Sequence, residues 1–253
     1  DAVVKAVFRA VVRRPALLGL VREVNEDSVA TLPEFGLVIL ADGMGGYNAG
    51  DVASQLAVET IATRLMQFYQ LPDSDVSTVP AVEAANDAIF ESVEQQPKLE
   101  GMATTVVLGM FHDGRVRYGH VGDSRIYRFR HGRLVRLTKD HSLAQELVDQ
   151  GIFASVEEAL AAGVRNNILT RGLGVEPEVE IDEGSELVES GDLYLFCSDG
   201  LSNMIPDRHI EQVLRESEGN LPDATARLLK LALENGGLDN VSAVLVRPVS
   251  ERW

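Results

Sequence analysis

Two dipeptides near the middle of the chain, Asp113-Gly114 and His131-Gly132, each interrupt a run of period-two apolar alternation. Turns this short join antiparallel neighbours, because parallel strands need a crossover of a dozen or more residues. The stretch from 103 to 137 therefore reads as an antiparallel meander, which argues against a doubly wound nucleotide-binding sheet. The 253 residues are 45% hydrophobic and 25% charged, enough apolar material for a sizeable core. No apolar run reaches the ~18 residues that a membrane span needs. One domain over 1–253 is the simplest organisation, since no repeat, linker or low-complexity tract breaks it.

Before the meander, Val4, Ala6, Phe8, Ala10 and Val12 alternate with Lys5, Arg9 and Arg13. Period two reads as an edge strand with a basic outer face rather than a targeting helix. Strands are expected near 20–30 and 36–41, the second continuously apolar and so buried on both faces. Ala53, Leu56, Ala57, Ile61, Leu65 and Phe68 recur at helical spacing, as do Val82, Ala85, Ile89 and Val93, with Pro80 in a first turn. Beyond the meander, 141–175 mixes short helical pieces with several glycines and shows little periodicity, as a flap or binding loop does. Eight acids and no basic residue fall in 176–192, and Glu178, Glu180 and Asp182, alternating with Val179 and Ile181, read as one solvated strand face. A buried strand Leu193 to Cys197, helices near 207–216 and 222–235, and a last strand near Val241 to Val246 complete the pattern.

Charge and motif content narrow the chemistry. Lys+Arg 23 against Asp+Glu 39 leaves a net charge of -16, which opposes nucleic-acid partners. A single cysteine, Cys197, excludes a disulfide framework and fits a reducing, cytoplasmic setting. No His-Glu-x-x-His, Gly-x-Ser-x-Gly or Walker lysine is present. Cys197 lacks the arginine six residues on that a thiol phosphatase needs, because Asn203 stands there.

What recurs is an aspartate beside glycine at the end of an apolar strand: Asp42-Gly43, Gly122-Asp123 and Asp199-Gly200, with Asp239 just before the last strand. Carboxylates crowded at a sheet edge repel one another and resist desolvation, and hard cations relieve both penalties. Oxygen-only ligands point to Mg²⁺ or Mn²⁺ rather than zinc. Arg22, shortly before Glu26-Asp27, adds a planar fork suited to a phosphoryl group.

Taken in order, Arg22-Glu23-Val24-Asn25-Glu26-Asp27, Asp42-Gly43-Met44-Gly45-Gly46, Gly122-Asp123-Ser124-Arg125, Thr138-Lys139-Asp140-His141-Ser142, Ser198-Asp199-Gly200-Leu201 and Asp239-Asn240-Val241-Ser242 resemble the metal-dependent protein phosphatases of the 2C type, bacterial branch. The resemblance runs from about 8 to 247. It implies an α+β, four-layer αββα sandwich, with two central antiparallel β-sheets flanked by helices. It also implies a Ser/Thr phosphatase that uses two Mn²⁺ or Mg²⁺ ions, with a third as in bacterial relatives. Asp42 would bridge two metals, the Gly43 carbonyl would bind one, and Asp199 and Asp239 would complete the other. Asp123 would help hold the third metal, Glu26 and Asp27 would orient metal-bound waters, and Arg22 would grip the phosphate. The 141–175 segment would be the family's flap. Partners would be phosphorylated Ser/Thr proteins and their kinase, met by a cytoplasmic monomer without membrane or nucleic-acid contacts. A catalytically weak phosphopeptide-binding scaffold is the alternative, and a two-metal nuclease a more distant one. Eukaryotic relatives carry histidine where Met44 stands, which leaves the general acid unassigned. The family's Met-Gly-Thr-Thr is Met102-Ala103-Thr104-Thr105 here.

Overall fold

A computed structural model describes residues 9–11, 19–22, 24–45, 49–68, 77–165 and 167–248, with side chains from residue 19 onward except that of Phe68. In chain order the strands are β1 (Arg9–Val11), β2 (Asp27–Leu32), β3 (Leu37–Met44), β4 (Ala103–Thr104), β5 (Val106–His112), β6 (Arg115–Val121), β7 (Arg125–Arg130), β8 (Arg133–Arg136), β9 (Asp182–Leu187), β10 (Leu193–Cys197) and β11 (Ala243–Arg247). They form two sheets, ordered β2-β3-β5-β6-β9, with β4 on the end of β3, and β1-β11-β10-β7-β8. Every pairing is antiparallel.

Period two sorts each strand between two cores. On β3, Leu37, Ile39 and Ala41 face the helices α1 (Ala49–Phe68) and α2 (Val79–Gln95), where Ala53, Ala57, Ile61, Val82 and Ile89 meet them. Val38 and Leu40 face the other way, into a core shared with Ile126, Tyr194, Phe196, Val244 and Val246 of the second sheet. The outer face of that sheet is covered by α6 (Asp207–Glu216) and α7 (Leu221–Glu234), through Ile210, Val213, Leu228 and Ala232. Helix, sheet, sheet and helix thus stack as the expected αββα sandwich. Residues 37–41 are buried on both faces, as their unbroken apolar run requires.

Both short turns are hairpins. Asp113 and Gly114 have φ of 47° and 69°, His131 and Gly132 have 51° and 76°, the left-handed pair that suits the twist of the flanking strands. The expectation of one continuous meander is corrected, however. The β5–β6 hairpin lies in the first sheet and β7–β8 in the second. The chain switches sheets at Gly122-Asp123-Ser124, where Gly122 has φ of 105°.

Other expectations shift for identifiable reasons. The strand placed near 20–30 begins only at Asp27, because Leu20 and Glu26 bond instead to Gly237 and Asn240 of the loop before β11. The basic edge strand is present as β1 against β11, while residues 1–8 and 12 of that expectation lie outside the described residues. Of the acids expected on one solvated strand face, Glu178 and Glu180 are exposed but precede β9, and Asp182 alone lies in it, partly buried and paired with Arg171; later acids of the run are bound as well. Glu183 accepts from the backbone N–H groups of Thr78 and Val79 at the start of α2, Glu186 pairs with Arg128, and buried Asp192 holds Arg130 through two bonds of 2.7 and 2.6 Å. The short helical pieces expected in 141–175 are present as α3 (Leu143–Asp149) and α4 (Val156–Ala161), capped by Ser142 and Ser155; at seven and six residues they are too short to show a period. Among the described residues no helix is long and apolar enough to cross a membrane.

Phe196 is fully buried between the sheets, edge-on to Phe111 at 6.5 Å. Phe196→Ala is expected to cost about 3–5 kcal/mol of stability. Urea unfolding would show this as a lower midpoint with an unchanged slope; a loss under 1 kcal/mol would contradict that packing.

Candidate active site

The apolar row between the sheets ends in acid. Along β3 the inward positions run Val38, Leu40, Asp42, and on β2 Val29 is followed inward by Asp27, which sits directly opposite Asp42 in register. From the second sheet, β10 ends at Cys197 and Asp199 opens the short helix α5 (Asp199–Ser202), while Asp239 lies just ahead of β11. Asp123 sits at the point where the chain changes sheets. Five carboxylates from distant parts of the sequence therefore meet at one end of the sandwich. Asp27 is buried, and the other four stay partly exposed, so the cluster opens to solvent. Close backbone approach makes this possible: a Cβ on Gly43 would fall 2.0 Å from the carbonyl oxygen of Gly50, so only glycine lets α1 begin against the end of β3.

Proton affinities record the crowding. Asp27, Asp42, Asp123 and Asp199 are all raised above the ordinary carboxylate value, first by burial and then by each other and Asp239. Two of their oxygens, Asp27 Oδ1 and Asp199 Oδ1, are buried without a hydrogen-bond partner. Buried acceptor oxygens left unpaired among like charges are what a hard cation would satisfy, so the donor set fits divalent ions of the Mg²⁺ and Mn²⁺ kind.

The surroundings fix these groups in place. Thr105 Oγ1 accepts from Asp42 N at 3.1 Å and shares a hydrogen bond with Ser124 Oγ at 2.8 Å; Thr105 N and Thr104 Oγ1 both donate to the Asp42 carbonyl. Ser198 Oγ donates to Asp27 Oδ2 at 3.0 Å and accepts from Ser242 N, joining the two sheets. Asn240 takes the Glu26 N–H on Oδ1 and gives Nδ2 to the Val24 carbonyl. Thr105, Ser198 and Asn240 lie within the recognised motifs, but nothing in their spacing discloses which backbone they hold. The Glu26 carboxyl, also raised by burial, lies against the Gly50 amide rather than inside the aspartate cluster. Arg22 is half exposed and donates from Nη2 to Asp239 Oδ2 at 2.8 Å, so its nearest acid is Asp239 and not the Glu26-Asp27 pair.

A second polar group was invisible in the sequence. His120 and His141 stack at 4.5 Å beside Asp182, and one ligand atom from each of the three lies within 4.8 Å of the others. Hydrogen bonding argues against a cation there. The Gly122 N–H donates to His141 Nδ1 at 3.1 Å, so the ring proton is on Nε2, facing Asp182 at 3.4 Å. Arg171 already pairs with the same carboxylate at 3.1 Å. Burial keeps both rings neutral, with His141 pushed down to about 4. This group instead pins Gly122, the residue preceding Asp123. The His141 N–H also donates to the Gly122 carbonyl, and Thr170 N donates to the His141 carbonyl, so both ends of the 141–175 segment are tied to the site.

Comparison with known proteins agrees with this geometry. The family model described as protein phosphatase 2C matches residues 21–234. The serine/threonine protein phosphatase PstP of Mycobacterium tuberculosis is 42% identical over 229 residues, covering 90% of this chain and 43% of that protein. The serine/threonine phosphatase stp of Listeria monocytogenes is 36% identical over 234 residues, covering 90% of this chain and 92% of its own. A crystal structure of the PstP catalytic domain in complex with two manganese ions superimposes with a TM-score of 0.81 at 37% identity, covering 98% of this chain and 99% of that one. The chain belongs to the protein phosphatase 2C family, on its bacterial branch. It spans less than half the length of PstP.

Stability should report the carboxylate crowding. Asp27 is raised to about 7 and Asp123 to about 8, so up to about pH 8 the folded chain binds more protons than the unfolded one and loses stability as pH rises. The two neutral histidines act oppositely, but only below their unfolded value of about 6.5. In EDTA, Tm is expected to fall from pH 6.5 to pH 8, and Asp27→Asn should flatten that fall. Saturating Mn²⁺ should raise Tm more at pH 8 than at pH 6.5. A metal-free Tm that is level across this range, measured by calorimetry, would refute the crowding.

Proposed function

We propose that the protein is a metal-dependent phosphatase of phosphoserine and phosphothreonine in proteins, and the convergence of acids from both sheets is the observation that carries this reading. In it Asp42, the Gly43 carbonyl, Asp199 and Asp239 hold two Mn²⁺ or Mg²⁺ ions, with Asp123 contributing to a third. When bound, such ions supply a water that ionises near neutral pH and offset negative charge on the phosphoryl oxygens. Asp27, held by Ser198, and Glu26, held at its backbone by Asn240, keep the acceptors around the cluster oriented. Among the described residues Arg22 makes one hydrogen bond, so most of its five donors are free for two phosphate oxygens.

The chain offers no covalent alternative through its thiol. Cys197 is fully buried, and burial pushes its thiol up to about 12. Met44 has no proton to give, so protonation of the leaving group falls to a group other than this side chain. A phosphopeptide-binding scaffold is disfavoured because Asp42, Asp199 and Asp239 are all present and brought together. A nuclease is disfavoured by the -16 net charge. The proposed setting is cytoplasmic and monomeric, opposing a Ser/Thr kinase on shared substrates.

With Mn²⁺, turnover of p-nitrophenyl phosphate and a phosphothreonine peptide is expected, with single-stranded DNA untouched and EDTA abolishing activity. Asp42→Ala should lower kcat on the order of 100-fold or more while leaving the far-UV spectrum intact. Wild-type turnover in that variant would remove the metal-holding role of Asp42, and a trapped phosphoenzyme would exclude direct attack on phosphorus by a metal-activated water.

A further inference from the structure

Leu20, Val21 and Leu238 are 73%, 63% and 58% exposed. Scattered apolar residues on a surface need no explanation, but these three belong to two strands of backbone bonded to each other. The Leu20 N–H donates to the Gly237 carbonyl at 2.8 Å. Gly19 is buried, and a Cβ there would fall 2.2 Å from the Asp239 carbonyl oxygen, so residues 19–22 run pressed along 237–239. The Leu20 side chain reaches over Gly237, and that of Leu238 over Gly236. The two segments end together in the Arg22–Asp239 ion pair. An uncovered aliphatic ledge therefore adjoins the one arginine assigned to the phosphate.

The geometry points to a substrate-docking surface: Leu20 and Leu238 receive an aliphatic side chain that flanks the phosphorylated residue of a protein substrate. This deepens the phosphatase reading and rests on it. Continuity with the site selects the occupant. A phosphate held at Arg22 fixes the phosphoresidue, and an extended chain advances only about 3.3–3.6 Å per residue, so its neighbours on one side must lie within a side chain's reach of the ledge. Residues there remove apolar surface from water on both partners, whereas polar neighbours gain nothing from it. A small aryl phosphate carries no flanking residue and does not touch the ledge. The surface thus separates recognition of the chain from recognition of the phosphate.

The test uses the whole chain with Mn²⁺ and three substrates: p-nitrophenyl phosphate, a phosphothreonine peptide with leucine at the positions on both sides, and the same peptide with glycine there. Wild-type protein is expected to favour the leucine peptide in kcat/KM about 10-fold. Leu238→Ser, and Leu20→Ser combined with it, should erase that preference, chiefly through KM, and leave p-nitrophenyl phosphate turnover within about twofold. Equal use of the two peptides by wild-type protein, or a preference that survives both variants, would overturn the docking surface while the phosphatase reading stands. Loss of p-nitrophenyl phosphate turnover in step with the peptides would also overturn it, showing a structural role. So would a wild-type dimer that becomes a monomer on Leu238→Ser in analytical ultracentrifugation, since the ledge would then belong to a second copy. No turnover of any substrate by wild-type protein would defeat the phosphatase reading and the ledge with it.

Discussion

Mutual repulsion among five carboxylates at the end of the inter-sheet core is the constraint around which this structure is arranged. Asp27 and Asp42 complete apolar rows that would otherwise end in valine or leucine, so the pleat that buries Val38 and Leu40 also drives acid toward the same cleft. Nothing in folding favours that arrangement, because each added charge makes its neighbours harder to ionise. A protein that keeps it is spending stability on chemistry, in the sense that unpaired buried acceptors accompany a function rather than a fold.

Holding such a cluster requires a frame that does not yield. Two apolar layers flank a third, and the sheets are locked where the acids emerge, by Ser198 between Asp27 and Ser242 and by Asn240 between Glu26 and Val24. Thr104 and Thr105 secure the Asp42 backbone from the first sheet, and His141 secures Gly122 beside Asp123. Neutral donors do this work, and they leave Asp27 Oδ1 and Asp199 Oδ1 buried without a partner. The same economy places Arg22 at the rim, half exposed, where it neutralises Asp239 without being buried with it.

Much of this could be read from residues alone where the pattern is local. Asp113-Gly114 and His131-Gly132 specify their hairpins because left-handed dihedrals suit few other pairs. The apolar run before Asp42 specifies a doubly buried strand, and the helical stripes of α1 and α2 survive intact. Reading failed where partners are remote. Alternation through Glu178, Glu180 and Asp182 suggests a solvated strand face, but Arg171 and His141 reach Asp182 from outside that stretch. A meander looked continuous because a sheet switch at Gly122-Asp123 leaves no mark on strand periodicity.

By itself, then, the sequence determined element types, the acid at each strand end and the family to which those motifs belong, since dihedral preference, alternation and motif order act over a few residues at a time. Only the tertiary structure decided that Arg22 meets Asp239, that His141 steadies the turn bearing Asp123, and that Leu20 and Leu238 lie over neighbouring glycines of one loop. Those pairings join residues as much as 218 positions apart in sequence, as Leu20 and Leu238 are, and no local pattern encodes which distant segments sheet packing will bring into contact.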